Sequence, residues 1–360
     1  MRIPFTLFFG VLVVMALSNA IVPVLPAYGD SSTIQGAIYS AYFLGALIST
    51  LPGGILSDRF GRITLMKLGL AVTVASGLFL AFTSEPVPVL AARFIEGIGA
   101  GFFIAAGMSW VNSRAGHERM SGYFMALLNA GLVLGLVCSG WLSAMLRFPA
   151  AGVLAFAALA VIPAIVSFSL RESGSRPETP FDPGLLRTLI SDYRWLWFSS
   201  VVLVGITGIV ISLYPKFSGL PSDILGIWIA GMSVATIVTV LVITRFSLPP
   251  VEAIRWSAVL MAAGAIISFY SPLGLVLLGA VAGIVMIAQM AFLADIEGRQ
   301  GIVMGLFSTT SYLGMALLPL VAGLVADAAG FFSAFCAAAA CAVMVVFTVG
   351  WCSSCTKLRK

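Results

Sequence analysis

Charge is what this sequence has least of: 9% of its 360 residues are Asp, Glu, Lys or Arg, against roughly a quarter in soluble domains. With 60% hydrophobic residues, such a chain cannot keep a folded surface wet, which excludes a water-soluble globular enzyme. Histidine is nearly absent, His117 being the only one, and cysteines number five. Cys138, Cys336 and Cys341 fall in apolar runs and read as small packing residues. Cys352-Ser-Ser-Cys355 has no second ligand pair for zinc and no thioredoxin-like setting for redox work. A phosphate-cradling G-x-x-x-x-G-K-[ST] loop is also missing. The sequence therefore calls for no metal, no cofactor, no nucleotide hydrolysis and no enzymatic activity.

What it does have is long apolar runs, repeated from end to end. Crossing about 30 Å of hydrocarbon takes roughly 20 apolar residues as a helix. A barrel would show short alternating segments instead, and lipid leaves the backbone no partner outside a helix. The runs place spans at 5–27, 34–56, 64–83, 88–111, 122–145, 149–170, 195–214, 223–244, 255–271, 273–294, 301–325 and 331–351. The fold class expected is all-α integral membrane, with 12 transmembrane helices. The weakest boundary is Ser271-Pro272, where one kinked helix would reduce the count to eleven. Residues 16–20, Ala-Leu-Ser-Asn-Ala, imitate a signal-peptide cleavage site, but the apolar run continues through Pro23 and Pro26, so a retained first helix is expected.

A net charge of +5 is compatible with nucleic acid as a partner; the placement of the cations says otherwise. Of the 19 Lys and Arg residues, Arg93 lies in a span and Arg147 and Lys216 in loops of one side. All the others fall in segments of the opposite side. That bias puts both termini in the cytoplasm and leaves the lipid bilayer, not nucleic acid, as the large partner. The longest loop, 171–194, carries Pro177, Pro180 and Pro183 and divides the chain into bundles 1–170 and 195–360. A repeat agrees with this division. Gly122-x-x-Met125-x-Leu127 with Leu134-Gly135 recurs as Gly301-x-x-Met304-x-Leu306 with Leu313-Gly314, mapping the fifth span onto the eleventh.

Between the second and third spans stands Gly54-Ile55-Leu56-Ser57-Asp58-Arg59-Phe60-Gly61-Arg62. It resembles the G-x-x-x-D-R-x-G-R signature of the major facilitator superfamily, with Ile63 where a further cation is frequent. Gly54 and Gly61 permit close backbone approach and a sharp turn. The resemblance implies two pseudo-symmetric six-helix bundles. It also implies a gating role for Gly54, Asp58, Arg59, Gly61 and Arg62 in closing the cytoplasmic side. The alternative reading of the loop is a topogenic basic turn.

The fourth span holds Arg93 and Glu96, the only deeply placed base and acid in the chain, followed by Gly97, Gly99 and Gly101. This is similar to the family's R-x-x-x-G element. A charge at a helix centre costs on the order of 2.5–3.5 kcal/mol on insertion scales; an i, i+3 spacing lets the two offset each other. Either Glu96 cycles a proton with Arg93 tuning it, or the two form a permanent ion pair. Gly131, Gly135 and Gly140 in the fifth span form a partial match to the antiporter-type G-x-x-x-G-P-x-x-G-G element, with Leu136 and Ser139 as departures. Gly97, Gly131, Gly135, Gly140 and Gly314 are expected to serve helix packing.

Asn19, Asn129 and Gln289 are polar residues in apolar runs, expected to line a cavity or bond across helices; so are Ser308, Thr309 and Thr310. Asn19 with Pro23 and Pro26 resembles the first helix of drug-efflux members. Trp110, Trp195, Trp197, Tyr214, Trp256, Tyr270 and Trp351 sit near span ends and are expected to anchor at the membrane interface. The resulting expectation is a secondary transporter in the plasma membrane, moving a small organic solute by alternating access with proton-coupled efflux. Its rivals are an uncoupled facilitator, an importer of the same fold, and a non-transporting sensor or scaffold.

Overall fold

The computed structural model describes residues 2–113, 117–171, 183–246, 249–294 and 300–349, all helix, turn or coil. The spans are α1 (Arg2–Ala20, continued by a 3-10 segment Val22–Ala27), α2 (Ser32–Phe60), α3 (Arg62–Ala81), α4 (Pro86–Asn112), α5 (His117–Leu146) and α6 (Ala151–Phe168). A short α7 (Pro183–Asp192) precedes α8 (Arg194–Ser218), α9 (Ser222–Ile243), α10 (Pro250–Tyr270), α11 (Leu273–Ala294), α12 (Gln300–Ala329) and α13 (Phe331–Thr348). Among the described residues, 12 helices are long and apolar enough to cross a bilayer.

The doubtful boundary at Pro272 is a true break. α10 stops at Tyr270 and Ser271 is extended (φ −152°, ψ 137°), as a residue before proline must be. Its N–H still closes the last turn onto Ile267 at 2.8 Å; Pro272 has no N–H to carry the helix on. The eleven-span alternative falls.

α7 was not expected. Its signal was Pro183 at the first helical position and a Leu186, Leu189, Ile190 spacing, obscured by the polar residues around it. Leu189 is buried, and its carbonyl accepts the indole N–H of Trp197 at 3.0 Å. Trp197 is thus not an interfacial anchor. Neither are Trp110 and Tyr214, which are buried inside the protein. Trp256 and Tyr270, 70% and 73% exposed, do face outward. Trp351 and the Cys352–Cys355 pair lie outside the described residues.

The described chain divides into two compact units. One comprises Met1–Asp30, Ala37–Glu178 and Pro215–Ala230; the other comprises Ser31–Gly36, Thr179–Tyr214 and Gly231–Lys360. The segments Ser31–Gly36 and Pro215–Ala230 are exchanged between the units relative to chain order. Within the first unit, α1 packs on α5 and α6, and α3 on α4 and α6. Within the second, α10 packs on α11 and α13, and α12 on α13.

The two exchanged segments are explained by matched backbone contacts. In the first unit, the carbonyl of Ser222 lies where a Cβ on Gly140 would stand, and the carbonyl of Leu136 where a Cβ on Gly226 would stand. In the second, Ser32 presents its carbonyl to Gly323 and Pro319 presents its own to Gly36. Each crossing thus pairs a glycine on one helix with a carbonyl four residues before a glycine on the other. The second crossing adds a carboxylate: Asp327 accepts the N–H groups of Ser32 and Thr33 at 2.9 and 2.7 Å and the Thr33 hydroxyl at 2.6 Å. Ser31 accepts the N–H of Ile34 at 3.1 Å. Together they satisfy the first turn of α2, whose amides have no helical partner.

Candidate functional site

The site is built where α1 loses its regular form. Pro23 and Pro26 lie in the 3-10 segment that follows Ala20, so the last carbonyls of α1 lack i+4 amide partners. Two of them find side chains instead. The Ser139 hydroxyl of α5 donates to Ala20, and the Arg93 guanidinium of α4 donates to Ser18 at 3.0 Å. A cation suits this place, because the C-terminal end of a helix carries partial negative charge.

Arg93 has two further neighbours. Its Nη1 donates to Glu96 Oε2 at 2.8 Å, one turn along the same helix. Its Cζ stands 4.6 Å from the centroid of the Tyr42 ring on α2. That ring is near because the helices touch: the Tyr42 carbonyl occupies the space a Cβ on Gly97 would need, and the Phe94 carbonyl the space at Gly45. A side chain at Gly97 would hold α2 off and take Tyr42 away from the guanidinium.

The pair is almost sealed, at 1% and 0% exposure. It lies about 10–15 Å from the start of α4, at 1.5 Å per residue. Yet it is incompletely satisfied. Arg93 Nε and Glu96 Oε1 have no hydrogen-bond partner. A guanidinium and a carboxylate can meet through two parallel bonds; here they meet through one. Leaving buried polar atoms unpaired is costly, so this arrangement is not the cheapest way to hide two charges.

The other expected residues are dispersed. Asn19, next to Ser18, donates its amide to Leu132 of α5 at 3.4 Å and so ties α1 to α5. Asn129 turns back on its own helix, donating to Met125 at 2.8 Å. Thr309 and Thr310 likewise bond carbonyls of α12, those of Gly305 and Phe307. Gln289 lies in the second unit, where its Nε2 donates to the Ser199 hydroxyl at 3.2 Å. Spacing could not foretell the backbone acceptor at Ser18.

In the α2–α3 connection, Gly61 carries the turn: φ is 103°, a value that side chains rarely adopt, and its N–H reaches Ser57 at 3.1 Å. Gly54 serves no close approach, since a Cβ there would meet nothing within 4 Å. The side chains of Asp58 and Arg59 lie outside the described residues. Arg62 opens α3. The packing glycines do meet neighbours. Gly131 and Gly135 lie against the carbonyls of Leu12 and Ala16 on α1, and Gly314 against that of Val201 on α8.

Comparison with known proteins bears on the whole chain. It is 23% identical over 338 residues to multidrug resistance protein 2 of Bacillus subtilis (strain 168), covering 85% of this chain and 84% of that one. It is 24% identical over 210 residues to the quinolone resistance protein NorA of Staphylococcus aureus, covering 56% and 53%. Its fold is similar to that of a POT family transporter solved in complex with 5-aminolevulinic acid (TM-score 0.80, 11% identity, 99% and 96% covered). The nucleoside transporter NupG gives a TM-score of 0.70 at 14% identity, with 100% of both chains covered. The family model described as Major Facilitator Superfamily matches residues 7–319. With twelve candidate spans and a match over most of its length, the chain is a multi-pass membrane transporter that belongs to the major facilitator superfamily.

Proposed function

We propose that this transporter exports a small neutral, cationic or amphipathic organic solute from the cytoplasm in exchange for protons, with Glu96 as the proton-carrying group. The observation that carries the reading is the half-satisfied Arg93–Glu96 pair. A carboxylate with one oxygen bonded to a guanidinium and one unbonded has a place for a proton. The Ser18 carbonyl and the Tyr42 ring stabilise Arg93 without Glu96, so the cation stays supported when the acid is neutral. Alternating access would expose the pair to each side in turn.

Efflux is supported by the two bacterial relatives, both named for drug resistance. The cation bias supports an arrangement with both termini in the cytoplasm, and the bacterial relatives support residence in the plasma membrane. The Gly54–Arg62 connection then lies on the cytoplasmic side, where it braces closure.

Reconstituted vesicles test the coupling. An amphipathic dye should move at least about tenfold faster when the acidic side is opposite the cytoplasmic face than without a pH gradient. Flux of equal rate with and without the gradient would make the protein a facilitator, and absence of any solute flux from a folded preparation would make it a sensor or scaffold.

A further inference from the structure

The second unit contains a cavity of about 230 Å³, walled by α8, α9, α10, α11 and α12. Leu203, Met261, Val285, Met286 and Phe307 supply its apolar surface, and Gln289 is part of its wall. The space exceeds the roughly 150 Å³ that holds a benzene ring in an apolar protein interior. It falls short of the roughly 300–1,000 Å³ of sites for drug-sized ligands. It has room for one fused bicyclic ring.

The polar groups of the wall are arranged one way. The Thr207 hydroxyl donates to Val204 at 2.6 Å, Thr236 to Gly279 at 2.8 Å and Ser311 to Phe307 at 2.9 Å. Each hydroxyl has a single proton, so these three have none left for a guest. Gln289 is 1% exposed, and its orientation follows from its neighbour. Ser199 gives its own proton to the Leu196 carbonyl at 2.7 Å, so the Gln289 atom that meets Ser199 must be the donating nitrogen. The amide oxygen is therefore the other atom, and it has no hydrogen-bond partner. An unpaired buried acceptor on a residue of an apolar wall, with no charged residue among the described residues lining it, asks for a donor and offers nothing to an anion.

We propose that this cavity is a binding site for a small apolar aromatic molecule bearing an N–H or O–H group, whose proton Gln289 Oε1 accepts. The site is confined to one unit and does not include Arg93 or Glu96. It stands whether or not transport is proton-coupled.

The test uses the purified full-length protein in lipid nanodiscs, with indole and 1-methylindole as probes. They share a ring system and differ in the N–H. Equilibrium binding is measured against the Ala282→Phe variant, which fills the cavity and reports lipid partitioning alone. Wild type should bind indole at least about fivefold more tightly than 1-methylindole, the effect expected of a buried acceptor left without its donor. In Gln289→Leu the preference should vanish, and in Gln289→Glu, which keeps an acceptor, it should persist. The proposal is overturned if wild type binds neither probe above the Ala282→Phe background. It is equally overturned if it binds both equally, or if the preference survives in Gln289→Leu. Because the readout is binding, failure of Glu96-dependent flux has no bearing on it.

Discussion

At the scale of residues, a buried charge is costly once its partner is removed. Arg93→Met leaves Glu96 in an apolar interior with no counter-charge, a loss on the order of 3–5 kcal/mol for a buried pair broken on one side. Arg93→Met combined with Glu96→Leu removes both charges and should restore most of that stability. Thermal unfolding of the two variants in nanodiscs checks this. A double variant as unstable as the single one would mean that Arg93 acts through Ser18 and Tyr42 and not through Glu96. The pair was legible in the sequence because a lone acid and a lone base three residues apart stand out against an apolar run. Its third partner was not, because a main-chain carbonyl has no letter of its own. Asn129 donates to a carbonyl of its own helix, an orientation that an amide letter in an apolar span does not reveal.

Elements are held together here largely by glycines that admit carbonyls, and this can be read along a single helix. α5 carries Gly122, where a Cβ would meet nothing within 4 Å, and Gly135, where it would collide with the Ala16 backbone. Alanine at the first should be neutral or stabilising by up to about 1 kcal/mol, the helix-propensity gain. Alanine at the second should cost about 1–3 kcal/mol, the range for overpacking, because a backbone cannot swing aside. Comparing the melting temperatures of the two variants decides whether the close approach, and not glycine as such, matters. Both glycines belong to similar small-residue patterns, so the sequence marked α5 as a packing helix without telling its tight positions from its open ones. Span existence was legible throughout, since hydrocarbon thickness sets a length that the apolar runs meet. α7 was not, being too short for that criterion and set in a polar loop. Three aromatics expected at the interface proved buried because position along a span says nothing of which way a side chain faces.

For the whole molecule, the cation bias and the even number of spans make a joint prediction. In a cysteine-free background, Ser84→Cys and Thr188→Cys place single thiols on exposed positions of two connections. A membrane-impermeant maleimide applied to intact cells should label the first and leave the second unlabelled until the membrane is opened. Labelling of both, or of Thr188→Cys alone, would invert or break the proposed topology. The expectation of two bundles came from the repeat and the central loop together. The exchange of helix starts between units was not legible, because it rests on backbone contacts at Gly140, Gly226, Gly36 and Gly323.

The proton is the point on which the functional reading rests. The most direct measurement is solute-driven proton movement in vesicles containing either wild type or Glu96→Gln, with solute binding measured in parallel. The amide variant should still bind solute while its proton flux drops at least about tenfold. Undiminished proton flux through Glu96→Gln would contradict this reading.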